Sequence, residues 1–402
     1  MPRRREREGR REGEELPDLV IEVIIDILLR LPVKPLLRFR CVSKQFCALI
    51  DSQDFIILHL KLSIETKHNL GLILRKSRLY SIVFDSLDTA VELDHPFQPT
   101  GHHRTKIFGT CHGLICLSYG LSNGREDLAI WNPSTRRFQK FSFREVGINF
   151  MGYSAYFTTS GFGYDSVTDD YKVVRSLEFL SPRKIGTLVK VYNMNSNSWR
   201  EVKGFPYSHR KDGRCGVFVG GALHWVVSLN PSDTANANLV AAFDLTAEDY
   251  LNPNANLVAA FDLTAEDYQL VPQPEFSDKN FHINIAELGG CLCILCNYRE
   301  VRVDVWVMKD YGYKESWSKL FCVVEPEVIR SLEFLIPLGY SRSGCEVLLV
   351  KDNKKRFWYD LEHEQIRKIK TRGLHYKFES FLCVESLVPL NGGGETYARN
   401  AE

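Results

Sequence analysis

The sequence has almost no net charge. Its 51 Lys+Arg and 50 Asp+Glu leave +1 at pH 7, so no global field draws the chain to nucleic acid or to an anionic membrane. No apolar run approaches the ~20 residues that a membrane helix needs. The first fifteen residues, MPRRREREGRREGEE, lack the apolar segment of a secretory signal. Every Asn-x-Ser/Thr triplet is blocked by proline, and the 11 cysteines are an odd number. Together these predict a reducing compartment, cytoplasmic, nuclear or both, with free thiols rather than a disulfide framework.

Chemistry-bearing motifs are equally scarce. Cys291, Cys293 and Cys296 in CLCILC have no second pair at zinc-ligand spacing. They read as buried strand residues, the first two on one face and the third on the other. His102, His103 and His112 lie near Cys111 without acidic partners or a second cysteine pair. GFGYDS lacks the third glycine of a nucleotide fingerprint and precedes a strand rather than a helix. DSVTDDY lacks the spacing of a calcium loop and reads as a hairpin turn. No nucleophile motif is present, so no catalytic residue, metal or cofactor is assigned.

What is present falls into two textures. Residues 1–15 hold six arginines and five glutamates and read as a disordered charged tail. Residues 19–62 then read as helical. LVIEVIIDILLRL is nearly all apolar, and Leu19, Val23, Ile27 and Leu31 recur every four positions. Pro32 and Pro35 force a break and a restart. Val42, Phe46, Leu49 and Ile50 line one face of the next segment, with Ser43, Lys44 and Gln45 opposite, and Asp54 is suited to cap one more helix. A unit this small rarely stabilises itself alone. It is also too apolar for a solvated linker, so a protein partner is expected to cover part of it. Arg38, Arg40 and Lys44 are too few among the apolar residues for a nucleic-acid helix.

After residue 70 the pattern becomes short β-rich runs separated by Gly, Asn, Asp and Pro, and it repeats. The unit is a strand ending in an aromatic, a polar turn, and a second bulky residue seven positions on. It occurs as Trp131/Phe138, Tyr192/Trp199, Phe261/Tyr268 and Tyr359/Ile366, with Trp306/Trp317 as a longer version. A four-residue turn such as Pro133–Arg136 places the two partners opposite each other in a hairpin, where an aromatic pair contributes about 0.2–1 kcal/mol. A glycine-bearing strand pair precedes each hairpin, so the unit is four strands and occurs five times. The leading aromatics are 61, 69, 45 and 53 residues apart, right or slightly long for propeller blades. Residues 79–93 and 381–390 are left over, and together they predict a sixth blade closed from both ends of the domain. The interval of 69 contains NANLVAAFDLTAEDY twice, at 236–250 and 254–268. One copy is therefore an insertion, and the second is expected in the blade because Pro253 cuts the first copy short.

DILLRLPVKPLLRFRCVSKQFCALIDSQDFIILHL, residues 26–60, resembles an F-box, the module that docks the Skp-type adaptor of cullin-RING ubiquitin ligases. Phe46 stands where that family usually has tryptophan, and Leu16-Pro17 lies three residues further from Leu31-Pro32 than usual. GTCHGLICLS, WNPSTRRF, GFGYDSVTDDYKVV, GALHWV, VDVWVMKDYG and CVESLVPL resemble the F-box-associated domain of plant F-box proteins. The resemblance implies an α+β multidomain chain: a helical F-box at 16–62, a kelch-like β-propeller of about six blades at 71–390, and a disordered tail at 391–402. It implies adaptor contacts at Leu16, Pro17, Leu28, Leu31, Pro32, Leu36, Leu37, Val42, Lys44 and Phe46. Cullin and RING subunits would be reached through the adaptor, and the propeller would capture a target protein whose contacts no motif encodes. The implied role is non-catalytic. The alternative is a propeller enzyme or carbohydrate binder with an unrelated helical cap.

Overall fold

The computed structural model describes residues 18–228 and 257–396, apart from residues 77, 98–104, 121–124, 145–154, 181–184, 205–207, 210–213, 277, 279, 373–376 and 391–394. Four helices come first: α1 (Asp18–Leu29), α2 (Val33–Phe39), α3 (Lys44–Ile50) and α4 (Gln53–Glu65). Pro32 takes the N-cap position of α2, and Pro35 sits in its first turn, where the missing N–H would have had no intrahelical partner. Ser43 caps α3 by accepting the Phe46 N–H at 3.1 Å, and Ser52 caps α4 by accepting the Phe55 N–H at 3.3 Å. Asp54 is therefore not the cap expected from sequence. It falls in the first turn of α4, where its charge suits the helix dipole.

A six-bladed all-β propeller follows, every sheet antiparallel within its blade. Blade 1 comprises β1 (Leu70–Arg75), β2 (Leu79–Val83) and β3 (Val91–Glu92), and blade 2 comprises β4 (Thr105–Cys111), β5 (Leu114–Gly120), β6 (Arg125–Asn132) and β7 (Arg137–Arg144). Blade 3 has β8 (Ala155–Asp165), β9 (Asp170–Leu180), β10 (Ile185–Asn193) and β11 (Ser198–Val202). In blade 4, β12 (Ser208–His209) and β13 (Val217–Val219) share an edge of β14 (Ala222–Ser228), followed by β15 (Leu257–Asp262) and β16 (Tyr268–Leu270). Blade 5 has β17 (His282–Leu288), β18 (Cys291–Tyr298), β19 (Arg302–Met308) and β20 (Trp317–Val323). Blade 6 has β21 (Leu335–Tyr340), β22 (Glu346–Lys351), β23 (Lys355–Asp360) and β24 (Ile366–Ile369).

The ring is closed by β25 (Glu379–Val384), which pairs with β1 as the innermost strand of blade 1. It neighbours the innermost strands of blades 2 and 6 at once. Closure from both ends of the domain thus holds, with β1 as a strand that the sequence reading had not used. The seven-residue spacing also holds: Trp131 faces Phe138, Tyr192 faces Trp199, Phe261 faces Tyr268 and Tyr359 faces Ile366. Trp317 instead faces Met308 and Trp306 faces Lys319, because the long connection from Met308 to Trp317 starts β20 opposite the end of β19. Cys293 packs on one face of β18 and Cys296 on the other. In the segment expected to be a disordered tail, Glu395 and Thr396 form a short strand, β26, on Phe138 and Arg137 at the outer edge of blade 2.

The second copy of the duplication supplies the hairpin of blade 4, with Leu257 paired to Val227 and Phe261 to Tyr268. The first copy lies outside the described residues. Deleting residues 236–253 leaves 229–235 and 254–256 to join strands whose ends are already paired, and a shorter loop changes closure entropy little. Such a chain is expected to melt within a few degrees of the full-length protein in calorimetry; a large drop would show that the first copy is structural.

His224, fully buried in GALHWV, joins blade 4 to the loop after β19. Its Nδ1 lies 3.0 Å from the Val217 carbonyl and its Nε2 2.8 Å from the Tyr311 hydroxyl. Burial pushes its pKa down to about 4, against the backbone bonds that raise it. The unfolded histidine titrates near ~6.5, so the unfolded chain binds the extra proton between these values. The stabilisation is complete above the unfolded value and is lost progressively as pH falls toward 4. Thermal melts from pH 8 to 4.5 should show the advantage of wild type over His224→Gln shrinking across that window. An advantage independent of pH would contradict this.

Candidate docking site

The helical module is packed on one side and open on the other. Leu28, Val33, Leu36, Ile50, Phe55 and Ile56 join one buried cluster with side chains of blades 2 and 3 and with Leu387, Val388 and Leu390. The chain beyond β25 therefore leaves the sheet and serves as the seat of the helices, where the sequence had suggested strand to residue 390. Three motifs hold that seat. Asn132 of WNPSTRRF donates to the carbonyls of Ser386 and Val388 at 3.1 and 3.0 Å, while its own amide oxygen accepts the Ser134 and Thr135 N–H groups. Ser386 of CVESLVPL donates to the His112 carbonyl of GTCHGLICLS at 2.7 Å. Gly113 has φ +81°, and a Cβ there would lie 2.3 Å from Ser386 Oγ and 2.6 Å from the Val384 carbonyl. Only glycine suits both the conformation and the close approach.

Polar contacts tighten the module further. Arg40 pairs with Asp51 at 2.7 Å, tying the end of α2 to the end of α3. His59 Nε2 lies 2.9 Å from the Leu31 carbonyl, and burial holds this ring neutral by lowering its pKa. Burial also raises the pKa of Glu385, opposed by its bond from the Val33 N–H and by the charge of Lys34. Lys67, just past α4, sits 5.0 Å above the Tyr340 ring of blade 6.

The open side is apolar. Of fifteen exposed large hydrophobic side chains among the described residues, nine lie between positions 20 and 64: Val20, Ile21, Val23, Ile27, Phe39, Val42, Ile57, Leu58 and Ile64. Val23, Ile27 and Val42 are 53%, 54% and 64% exposed. Stray exposed valines are ordinary, but this density in so small a unit marks an interaction surface.

The residues named from sequence divide accordingly. Leu16 and Pro17 lie outside the described residues. Pro32, Val42 and Lys44 are exposed, and Leu31, Leu37 and Phe46 are half-buried against the cluster. Leu28 and Leu36 lie at 3% and 0% exposure in the chain's own core, beneath the open face. The sequence reading passed over Val20, Ile21 and Phe39 as surface residues. The available signal was α1 itself, a twelve-residue helix with apolar side chains on every side, more than one intramolecular face can bury.

A small helical module with an uncovered apolar face, seated on a six-bladed propeller, defines a two-part docking protein. The chain matches the F-box domain over residues 16–58 and the F-box associated beta propeller domain over residues 70–390. It is 36% identical to F-box protein CPR1 of Arabidopsis thaliana, over 92% of this chain and 88% of that protein. A second F-box protein of the same plant is 31% identical over 95% and 92%, and an F-box/kelch-repeat protein 30% identical over 83% and 85%. The chain belongs to the F-box proteins that carry an F-box-associated β-propeller.

Proposed function

We propose that this protein is the substrate-recognition subunit of a Skp–cullin–F-box ubiquitin ligase. The apolar face of the helical module docks a Skp-type adaptor, which brings in the cullin and the RING subunit. The propeller holds a target protein, and tethering raises the local concentration of its lysines at the ubiquitin-charged enzyme. The subunit performs no bond chemistry itself and works in the cytoplasm, the nucleus or both. Membership of the F-box proteins supports this reading, and the observation that carries it is the uncovered face around Val23, Ile27, Phe39 and Val42 on a module whose other side is fully packed.

The docking face is proposed to comprise Val20, Ile21, Val23, Ile27, Pro32, Phe39, Val42 and Lys44, with Leu16 and Pro17 extending it. Leu31, Leu37 and Phe46 form its floor. Affinity purification of the tagged chain from plant cells under proteasome inhibition tests the assembly. Adaptor, cullin and RING subunits should co-purify together with ubiquitinated proteins, and recovery without any adaptor would refute it.

A further inference from the structure

Blade 4 is built from a segment that the chain carries twice. NANLVAAFDLTAEDY stands at 236–250 and again, unchanged, at 254–268. The second copy supplies β15, the turn after it and the first residue of β16. Leu257, Ala259, Phe261 and Leu263 pack with Val174, Val189 and Val191 of blade 3. The turn is held as firmly. Lys172 of blade 3, fully buried, donates to the Leu263 carbonyl at 2.6 Å and pairs with Asp165 at 2.9 Å and Glu266 at 3.2 Å. Thr264 Oγ1 donates to Asp165 at 2.6 Å, and Arg200 pairs with Glu266.

Each blade 4 residue in these contacts has an identical counterpart in the first copy, with Leu239, Phe243, Leu245, Thr246 and Glu248 among them. Through these contacts blade 3 cannot tell the copies apart. The difference begins past the repeat. Copy two continues as Gln269-Leu270-Val271, where Leu270 and Val271 are buried and the Val271 N–H donates to the Val258 carbonyl at 2.8 Å. Copy one continues as Leu251-Asn252-Pro253, which would set a polar amide in the place of Leu270 and has no N–H to give in the place of Val271. Chain connectivity is nearly neutral. Using copy one shortens the connection before β15 and lengthens the one after β16 by the same number of residues, and closure entropy varies only with the logarithm of loop length.

We propose that blade 4 forms two isomers, one from each copy, and that copy two is favoured only by Leu270 and the Val271 N–H. The 263–267 turn lies at the helix end of the ring, because it bonds to the 165–172 hairpin, whose Tyr164 and Tyr171 pack in the cluster that carries the helices. Both connections therefore open at the opposite end. Exchange moves the spare copy from before β15 to after β16 at that end and leaves the core of the blade as it is. It requires nothing of the docking face.

The test disables one copy at a time in the full chain. Phe261 is fully buried at the centre of the hairpin, so Phe261→Asp removes copy two from use. In calorimetry this variant should keep a cooperative transition, lowered by several degrees, because Phe243 takes the vacated place. Phe243→Asp should melt as wild type does, and the two changes together should abolish the transition. Adding Asn252→Leu and Pro253→Val to Phe261→Asp should recover most of the lowered temperature, since they give copy one the continuation of copy two. Limited proteolysis by an enzyme that cuts after glutamate reads the isomer directly: Glu266 should be spared in wild type, and Glu248 spared with Glu266 cut in Phe261→Asp. The proposal is overturned if Phe261→Asp unfolds as completely as the double variant, with or without the changes at 252 and 253. It is overturned equally if Phe261→Asp stays folded while Glu248 is cut as fast as in wild type, because copy one would then never enter the blade.

Discussion

A chain ending at residue 378 is expected to lose cooperative unfolding of the propeller. The deletion removes β25, the innermost strand of blade 1 and the neighbour of the innermost strands on both sides. It exposes the β1 edge to the axis, an unpaired template for aggregation. It also removes Leu387, Val388 and Leu390, on which the helices sit, and leaves Asn132, 0% exposed, with an amide that has lost both of its acceptors. An unsatisfied buried donor alone costs about 1–3 kcal/mol, and the lost strand adds six residues of ladder. An ordinary domain is stable by only roughly 5–15 kcal/mol, so losses of this kind weigh heavily. Calorimetry and light scattering on the truncated chain would check this. A single sharp transition at the full-length temperature would mean that the ring does not depend on its last strand.

The second large effect separates docking from folding. Val23→Asp with Ile27→Asp places two carboxylates on side chains that are more than half exposed, so the fold should melt nearly unchanged. On a covered face the same carboxylates would be buried unpaired, and adaptor binding should fall by about 2–4 kcal/mol or more. Leu36 behaves oppositely. It is fully buried against Leu28 and the 387–390 seat, so Leu36→Ala should cost about 2–5 kcal/mol of stability. Any loss of binding there would follow from a loosened module. Parallel melts and adaptor titrations on the two variants would show the crossover. A destabilised Val23/Ile27 variant, or a stable Leu36→Ala that no longer binds, would reverse the assignment.

The propeller was legible because its repeat is written in pairs. A hairpin with a four-residue turn fixes which two side chains face each other, so Trp131/Phe138 and Tyr192/Trp199 could be read from spacing alone. The spacing fails where the connection is longer, as between β19 and β20, because a loop from Met308 to Trp317 does not fix which side chains face each other as a four-residue turn does. The docking face was legible only in outline. A stripe such as Val23–Ile27 has the same period whether it meets the chain's own core or another molecule. Leu36 and Leu37 are adjacent and alike, yet one is buried completely and the other half-exposed. Their separation depends on residues 387–390, more than 300 positions away, which approach only after the ring closes. The burial of Arg356 was hidden for the same reason: it is 7% exposed and donates to Ser380 Oγ across the blade 6–blade 1 junction.

The central claim is that the open face of the helical module is an adaptor-docking surface. Size-exclusion chromatography with light scattering on the purified full chain mixed with a purified Skp-type adaptor tests it most directly. The account predicts a one-to-one complex that forms with wild type and with the 236–253 deletion and is absent for Val23→Asp/Ile27→Asp. Separate elution of the wild-type chain and the adaptor, with both proteins folded, would contradict it.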